Sequence, residues 1–193
     1  MTIREAHKSD AAELAKLIDY AGEGLPFYLW RQMAAPGEDP WEIGRQRAAR
    51  DTGGFSYRNS VVAEVDGKVV GALVGYPVAD EPEAIDPDST PPMFVPLREL
   101  ENLAPGTWYV NSVAVFPEAR GLGLGSALMR CAERTASDLG LRGISLIVSD
   151  ANDGARRLYE RLGYRETGSR PMVKEQWQNA GENWVLMIRG LPG

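Results

Sequence analysis

Between a β-prone run and a helix-patterned one, the chain reads Val113-Ala114-Val115-Phe116-Pro117-Glu118-Ala119-Arg120-Gly121-Leu122-Gly123-Leu124-Gly125-Ser126. Three alternating glycines remove the Cβ barrier to left-handed backbone angles. Successive N–H groups can then converge on a diphosphate, and the helix that follows points its positive dipole end at the same place. Arg120 can add a charge-assisted contact. A plain turn from strand to helix also selects glycine, so the loop by itself leaves both readings open. Two common nucleotide loops fit it less well: no Lys-Ser or Lys-Thr follows, and Ser126 stands where a dinucleotide fingerprint has its last glycine.

The surrounding pattern alternates strands and helices. Thr2 to Ala6 reads as a strand, and Ser9-Asp10 as the cap of a helix whose apolar stripe is Ala12, Leu14, Ala15, Leu17 and Ile18. Helical segments over 25–35 and 41–50 are interrupted by Pro36, Gly37 and Pro40. Asp66-Gly67 between Val61–Val65 and Lys68–Tyr76 predicts a β-hairpin. An acidic, proline-rich stretch over 79–92 predicts a long loop, with a short helix near 97–103; together 79–105 reads as a loop insertion or lid. Strand 108–116, helix 125–139, strand 143–148, a helix capped by Asn152 or Asp153 and ended by Gly163, and strands over 164–169 and 184–189 complete the chain. The order predicts an α/β (α+β) fold with one mixed central sheet, and a single domain over 1–193.

Bulk properties narrow the function. A net charge of -6 and a pI near 5.0 disfavour nucleic acid, whose binders carry a basic face. A lone cysteine, Cys131, is consistent with a reducing cytoplasm. The sequence reads as one without a signal peptide, a membrane span or a metal-ligand cluster, and its one histidine, His7, reads as a surface residue.

A second motif follows, Asn152-Asp153-Gly154-Ala155-Arg156-Arg157-Leu158-Tyr159-Glu160-Arg161-Leu162-Gly163-Tyr164. Asn152, Ala155 and Tyr159 share one helical face. The same spacing also suits an amphipathic core stripe. The two motifs together resemble the GNAT superfamily of N-acetyltransferases. Arg120, Gly123 and Gly125 match its phosphate-loop pattern, Val113-Ala114-Val115 and Pro117 its fourth strand and exit, and the later segment its Asn, Ala, Leu-Tyr and Gly-Tyr positions. The similarity is carried by 108–164.

The resemblance implies a splayed parallel strand pair and acetyl-CoA as the cofactor. It places the coenzyme on Val113, Ala114, Val115, Arg120, Gly121, Leu122, Gly123, Leu124, Gly125, Ser126, Asn152, Ala155 and Tyr159. Backbone groups of Val113 and Val115 would pair with the pantetheine arm, and the Val113 N–H would serve an oxyanion. It also implies direct attack by a primary amine through a tetrahedral intermediate, with Tyr159 as general acid toward the leaving thiolate. The run 108–115 holds no carboxylate, so the base is unassigned; Asn111 or Ser112 with a water, Glu23, or Glu99 are candidates. Tyr28, Trp30, Trp108 and Asn111 are candidate walls for the acceptor, a small-molecule or protein amine. A noncatalytic CoA-binding module and a nucleotide-binding domain stay open as alternatives, as does the oligomeric state, a homodimer included.

Overall fold

A computed structural model describes residues 1–86 and 88–191; Pro87 of the expected loop, and Pro192 and Gly193 of the expected domain, lie outside the described residues. The chain runs β1 (Thr2–Glu5), α1 (Ala11–Ala21), α2 (Leu25–Met33), α3 (Pro40–Ala48), β2 (Ser60–Val65), β3 (Lys68–Pro77) and α4 (Val95–Glu101). It continues through β4 (Thr107–Val115), α5 (Leu124–Asp138), β5 (Gly143–Ser149), α6 (Asp153–Arg161), β6 (Arg165–Pro171) and β7 (Asn183–Gly190). The strands make one seven-stranded sheet in the order β1-β2-β3-β4-β5-β7-β6. Strand β4 pairs with β5 in parallel, while β1–β2, β2–β3, β5–β7 and β6–β7 are antiparallel. This is the mixed α/β sheet that the sequence predicts. The parallel register ends at Val110↔Leu146, although β4 runs on to Val115 and β5 to Ser149.

By internal contacts the chain divides into two compact units, Met1–Gly75 with Asn111–Cys131, and Tyr76–Val110 with Ala132–Gly193. Strand β4 and helix α5 each begin in one unit and end in the other.

In the first unit, α1 buries Leu14, Ala15, Leu17 and Ile18 on one stripe against Val62, Ala72 and Val74 of the hairpin. Asp66 and Gly67 turn that hairpin with φ of 51° and 74°, the positive angles expected of the dipeptide. One expected cap needs correcting. The Asp10 side chain does not cap α1; it accepts the His7 N–H at 2.7 Å and pairs with the Arg4 guanidinium at 2.8 Å. Arg4 also reaches Glu64 of β2 at 2.9 Å, so the ion pair joins strand β1, the helix entry and the hairpin. The Arg4 hydrogen bond, opposed by burial, holds the Asp10 carboxyl below its ordinary value. Asp10→Ala is expected to cost about 2 kcal/mol, the scale of a lost hydrogen bond to a charged group. A group with a lowered folded pKa contributes its stability above the unfolded value near ~3.9 and loses it as pH falls through the folded one. The gap between wild type and variant in urea unfolding should therefore be full at pH 6 and shrink below about pH 4.

In the second unit, β5 buries Ile144, Leu146 and Val148, and β7 buries Trp184 to Met187. The buried hydroxyls of Thr107 and Ser145 meet at 2.7 Å across the parallel pair. Helix α4 starts two residues before the helix predicted at 97–103 and packs on β5, β6 and β7. The acidic stretch before it is tied down at two points. The Asn102 amide exchanges hydrogen bonds with the Glu83 backbone at 2.8 and 3.0 Å, and Asp80 pairs with Arg142 at 2.9 Å. Among the described residues, no helix is long and apolar enough to cross a membrane.

Candidate active site

Beyond Phe116, whose N–H donates to the Val70 carbonyl at 2.8 Å, β4 gives way to a 3-10 turn over Pro117–Ala119 and then to the glycine loop. Gly121 and Gly123 hold φ of 80° and 75°, and nothing lies within 4 Å of where a Cβ on either would point. Glycine is thus selected here by backbone angle, and the space beside it is open. Helix α5 begins at Leu124, one residue before the predicted start, so Leu124, Gly125 and Ser126 form its first turn. The first backbone bond back from the helix to the loop is Ala127 N–H to the Gly123 carbonyl at 3.0 Å. Among the described residues, the N–H groups of Gly121 to Ser126 donate to no acceptor. Six successive N–H groups without a backbone acceptor at the positive end of a fifteen-residue helix have the chemistry that suits an anion. Arg120 is exposed and turns back, its Nε donating to the Val115 carbonyl at 3.2 Å.

Val113, Ala114 and Val115 are half-buried in the stretch of β4 past its last pair with β5. Asn111 lies just before them, its side-chain oxygen accepting the Ser112 hydroxyl at 3.1 Å. Tyr20 at the end of α1 packs edge-on against Phe116, with centroids 5.9 Å apart.

In the second unit, Asn152 caps α6, its side-chain oxygen accepting the Ala155 N–H at 3.1 Å. That settles which of the two predicted caps acts. Ala155 is half-buried, and Tyr159 is buried with 7% of its surface exposed. The Tyr159 ring lies 6.0 Å from that of Tyr164, tilted by 58°. Burial, together with the Glu133 charge, raises the Tyr164 phenol above its ordinary value, against the opposing effect of Arg189. Glu133 and Arg189 are themselves an ion pair.

The four acceptor-wall candidates fall in different settings. Trp30 is 3% exposed and meets Trp41 edge-on at 5.8 Å, its ring lying over Gly44 in the core of the first unit. Tyr28 is half-buried on α2. Trp108 is half-buried in the second unit, and its indole Nε1 is buried with no hydrogen-bond partner. Asn111 lies on β4 as described. Of the candidate bases, Glu99 is paired with Arg170 at 2.6 Å, and Glu23 holds a left-handed backbone, φ 53°, between α1 and α2. His7 is exposed, as predicted.

The structure adds a group that the sequence does not single out. Glu101 of α4 has a side chain only 15% exposed, with Arg98 as its ion-pair partner at 3.7 Å. It also shares a hydrogen bond with Tyr76. Burial raises its carboxyl above the ordinary range, and Glu83 adds to this while Arg98 and the Tyr76 hydroxyl oppose it. Tyr76 packs on Tyr109, centroids 5.4 Å apart. Tyr109 is 5% exposed, and burial pushes its phenol well above the ordinary value.

The site thus consists of a strand, a left-handed glycine loop and the start of a helix, and comparison with known proteins gives the chain a family. The sequence profile of the acetyltransferase (GNAT) family matches residues 26–164, and the chain belongs to that family. An uncharacterized N-acetyltransferase of Methanocaldococcus jannaschii is 32% identical over 132 residues, covering 68% of this chain and 65% of that one. A mycothiol acetyltransferase of Parafrankia sp. is 32% identical over 139 residues, 67% of this chain and 38% of that protein. The chain therefore spans less than two thirds of the length of these relatives. A crystal structure of an acetyltransferase superposes with a TM-score of 0.69 at 22% identity, covering all of both chains, and so shares the fold.

Proposed function

We propose that the chain is a single-domain acyltransferase that binds acetyl-CoA and transfers its acetyl group to a primary amine. The observation that carries this reading is the run of free N–H donors from Gly121 to Ser126 at the start of α5, in a chain of the acetyltransferase family. The donor set suits the ligand. A diphosphate needs several convergent donors and space for its oxygens, and the loop offers both beside Gly121 and Gly123.

On this reading Arg120, Gly121, Leu122, Gly123, Leu124, Gly125 and Ser126 hold the diphosphate, with Arg120 adding charge through the nitrogens that Val115 does not engage. The backbone of Val113, Ala114 and Val115 takes the pantetheine arm as an added strand would. Asn152 and Ala155 border the coenzyme, and the Val113 N–H stabilises the oxyanion that develops on attack. Bound acetyl-CoA supplies a thioester, already activated toward an amine. The chain must deprotonate the amine, since a lysine-like ammonium has a reference pKa near ~10.4, and must protonate the departing sulfur. Tyr159 is assigned the second task. Tyr28, Trp108 and Asn111 remain proposed contacts for the acceptor, whereas the core packing of Trp30 accounts for its burial without a substrate.

The test is release of free thiol from acetyl-CoA in the presence of an amine panel, with acetyl-CoA binding followed in parallel by titration calorimetry. Thiol release that depends on an amine is the expected result. Binding without turnover on any amine would instead leave a noncatalytic CoA-binding module, and ATP or NAD binding as tightly as coenzyme A would overturn the assignment of the loop.

A further inference from the structure

The reaction proposed above lacks a base, and the described part of β4 supplies no carboxylate. A base for an ammonium needs three properties together. It must be an acid group shielded from solvent, not held by a cation at hydrogen-bond distance, and near the point where the parallel strands stop pairing.

Glu99 fails on the second count, its carboxylate held by the Arg170 guanidinium at 2.6 Å. Glu101, two residues on, meets all three. Its side chain keeps a narrow opening to solvent at 15% exposure, and its cation, Arg98, stands off at 3.7 Å and is itself 53% exposed. The other groups that face it are Tyr76 at the end of β3, Tyr109 on β4, and Glu83 on the segment tied to Asn102. Two of these are phenol rings packed on each other at 5.4 Å. Aromatic faces beside a carboxylate suit a cation that must shed water to enter. Tyr109 is one residue before Val110, where pairing of β4 with β5 ends. The tyrosine that faces the carboxylate therefore neighbours the last paired rung of the parallel strands, and all these residues belong to the second unit.

We propose that Glu101, walled by Tyr76 and Tyr109, is the base that receives the proton of the acceptor's ammonium, and that the acceptor is a cationic alkylamine. This rests on the acetyl-transfer reading above. The ammonium proton passes to the Glu101 carboxylate, and the freed nitrogen lone pair forms the C–N bond to the thioester carbon. The nitrogen of the tetrahedral intermediate gives its surplus proton to solvent, the C–S bond breaks with its electron pair on sulfur to leave the neutral amide, and the thiolate takes the Tyr159 phenol proton. Glu101 then releases its proton to solvent, and the phenolate regains one from solvent. Tyr76 is a positioning residue whose hydroxyl stabilises the ionised carboxylate.

The test compares wild type, Glu101→Gln and Tyr76→Phe, using the amine that turns over fastest in the panel. Glu101→Gln should bind acetyl-CoA as wild type does, lose about a hundredfold in kcat/KM, the scale of a proton-transfer group, and lose the acidic limb of its pH profile. Tyr76→Phe, a milder change, removes a hydrogen bond that favours the charged form, so its acidic limb should move to higher pH with little change in the plateau. An independent readout is the carboxyl 13C titration of Glu101 in the free enzyme. Saturating n-butylammonium should move that titration to lower pH in wild type, as a nearby cation must. Unchanged activity and pH profile in Glu101→Gln, or a titration insensitive to the amine, would overturn the assignment while leaving acetyl transfer standing. Wild type that binds no acetyl-CoA would instead remove the parent reading, and this inference with it. Should Glu101→Gln fail to fold, the Tyr76→Phe limb and the wild-type titration decide.

Discussion

Tyr159→Phe is expected to lower kcat for acetyl transfer by about a hundredfold, the lower end of what a positioned proton donor contributes. Acetyl-CoA affinity and melting temperature should stay close to wild type. The expectation follows from where the ring and the hydroxyl act. The ring is 7% exposed and packs on Tyr164 at 6.0 Å, and phenylalanine reproduces that surface. Asn152 continues to cap α6 through the Ala155 N–H, so the helix keeps its start. What is lost is a proton for a thiolate whose conjugate acid has a reference pKa near ~8.5, close enough to a phenol near ~10 for transfer to be only modestly uphill. Without that proton the thiolate must leave bare or wait for water, and the penalty falls on kcat. The comparison needs single-turnover thiol release and thermal unfolding on the same preparations. If turnover is unchanged, Tyr159 is a packing residue and the helix stripe is its whole role. If melting drops along with kcat, the hydroxyl is structural, and the acid must be sought elsewhere.

The parts of the molecule legible in the sequence are those set by local chemistry. Asp66-Gly67 takes the positive φ pair that its composition favours, and the hairpin follows. The alternating glycines and the Asn-to-Tyr spacing of α6 likewise carry their geometry within a dozen residues, which is why the strand–loop–helix and the cap of α6 are readable. Less legible is whatever depends on a distant partner. Asp10 has the composition of a cap, yet Arg4 and the His7 backbone engage it once β1 is laid down. Trp30 and Tyr28 read alike on α2, but Trp41 and Gly44 enclose Trp30 through the docking of α3. Glu101 is the sharpest case. In the sequence it is one acid among many around an acidic stretch, and Glu99 looks equivalent. Only the docking of α4 separates them, sending Glu99 to Arg170 on β6 and Glu101 to a tyrosine pair contributed by β3 and β4. A signal was present in the tyrosines at 76 and 109, each near the end of a predicted strand or within one, but nothing in their spacing points to α4.

Gly123→Val should abolish measurable coenzyme A binding while the chain stays folded, and Gly140→Val supplies the control. Both glycines hold left-handed backbone, φ 75° and 67°, and around both the place of a Cβ is open. A β-branched residue forced into that region costs roughly 1–2 kcal/mol at either site, a shift of a few degrees in melting temperature for a chain of this size. Backbone strain is therefore matched. The two positions differ in the donors beside them. Gly140 follows α5 and its N–H already donates to the Ser137 carbonyl at 2.9 Å, whereas Gly123 sits among the free N–H groups that lead into the same helix. A valine at 123 places methyl groups in the space beside those donors and tilts the peptide planes that carry them. Each charge-assisted hydrogen bond lost is worth about 1.5–3 kcal/mol. Two such losses weaken binding by about a hundredfold or more. Calorimetric titration of coenzyme A into both variants, alongside their melting curves, separates strain from recognition. Equal melting shifts with binding lost only at 123 are expected. Equal binding in both would mean that the glycine loop is an ordinary turn, and that the diphosphate, if the chain holds one, is held by other atoms.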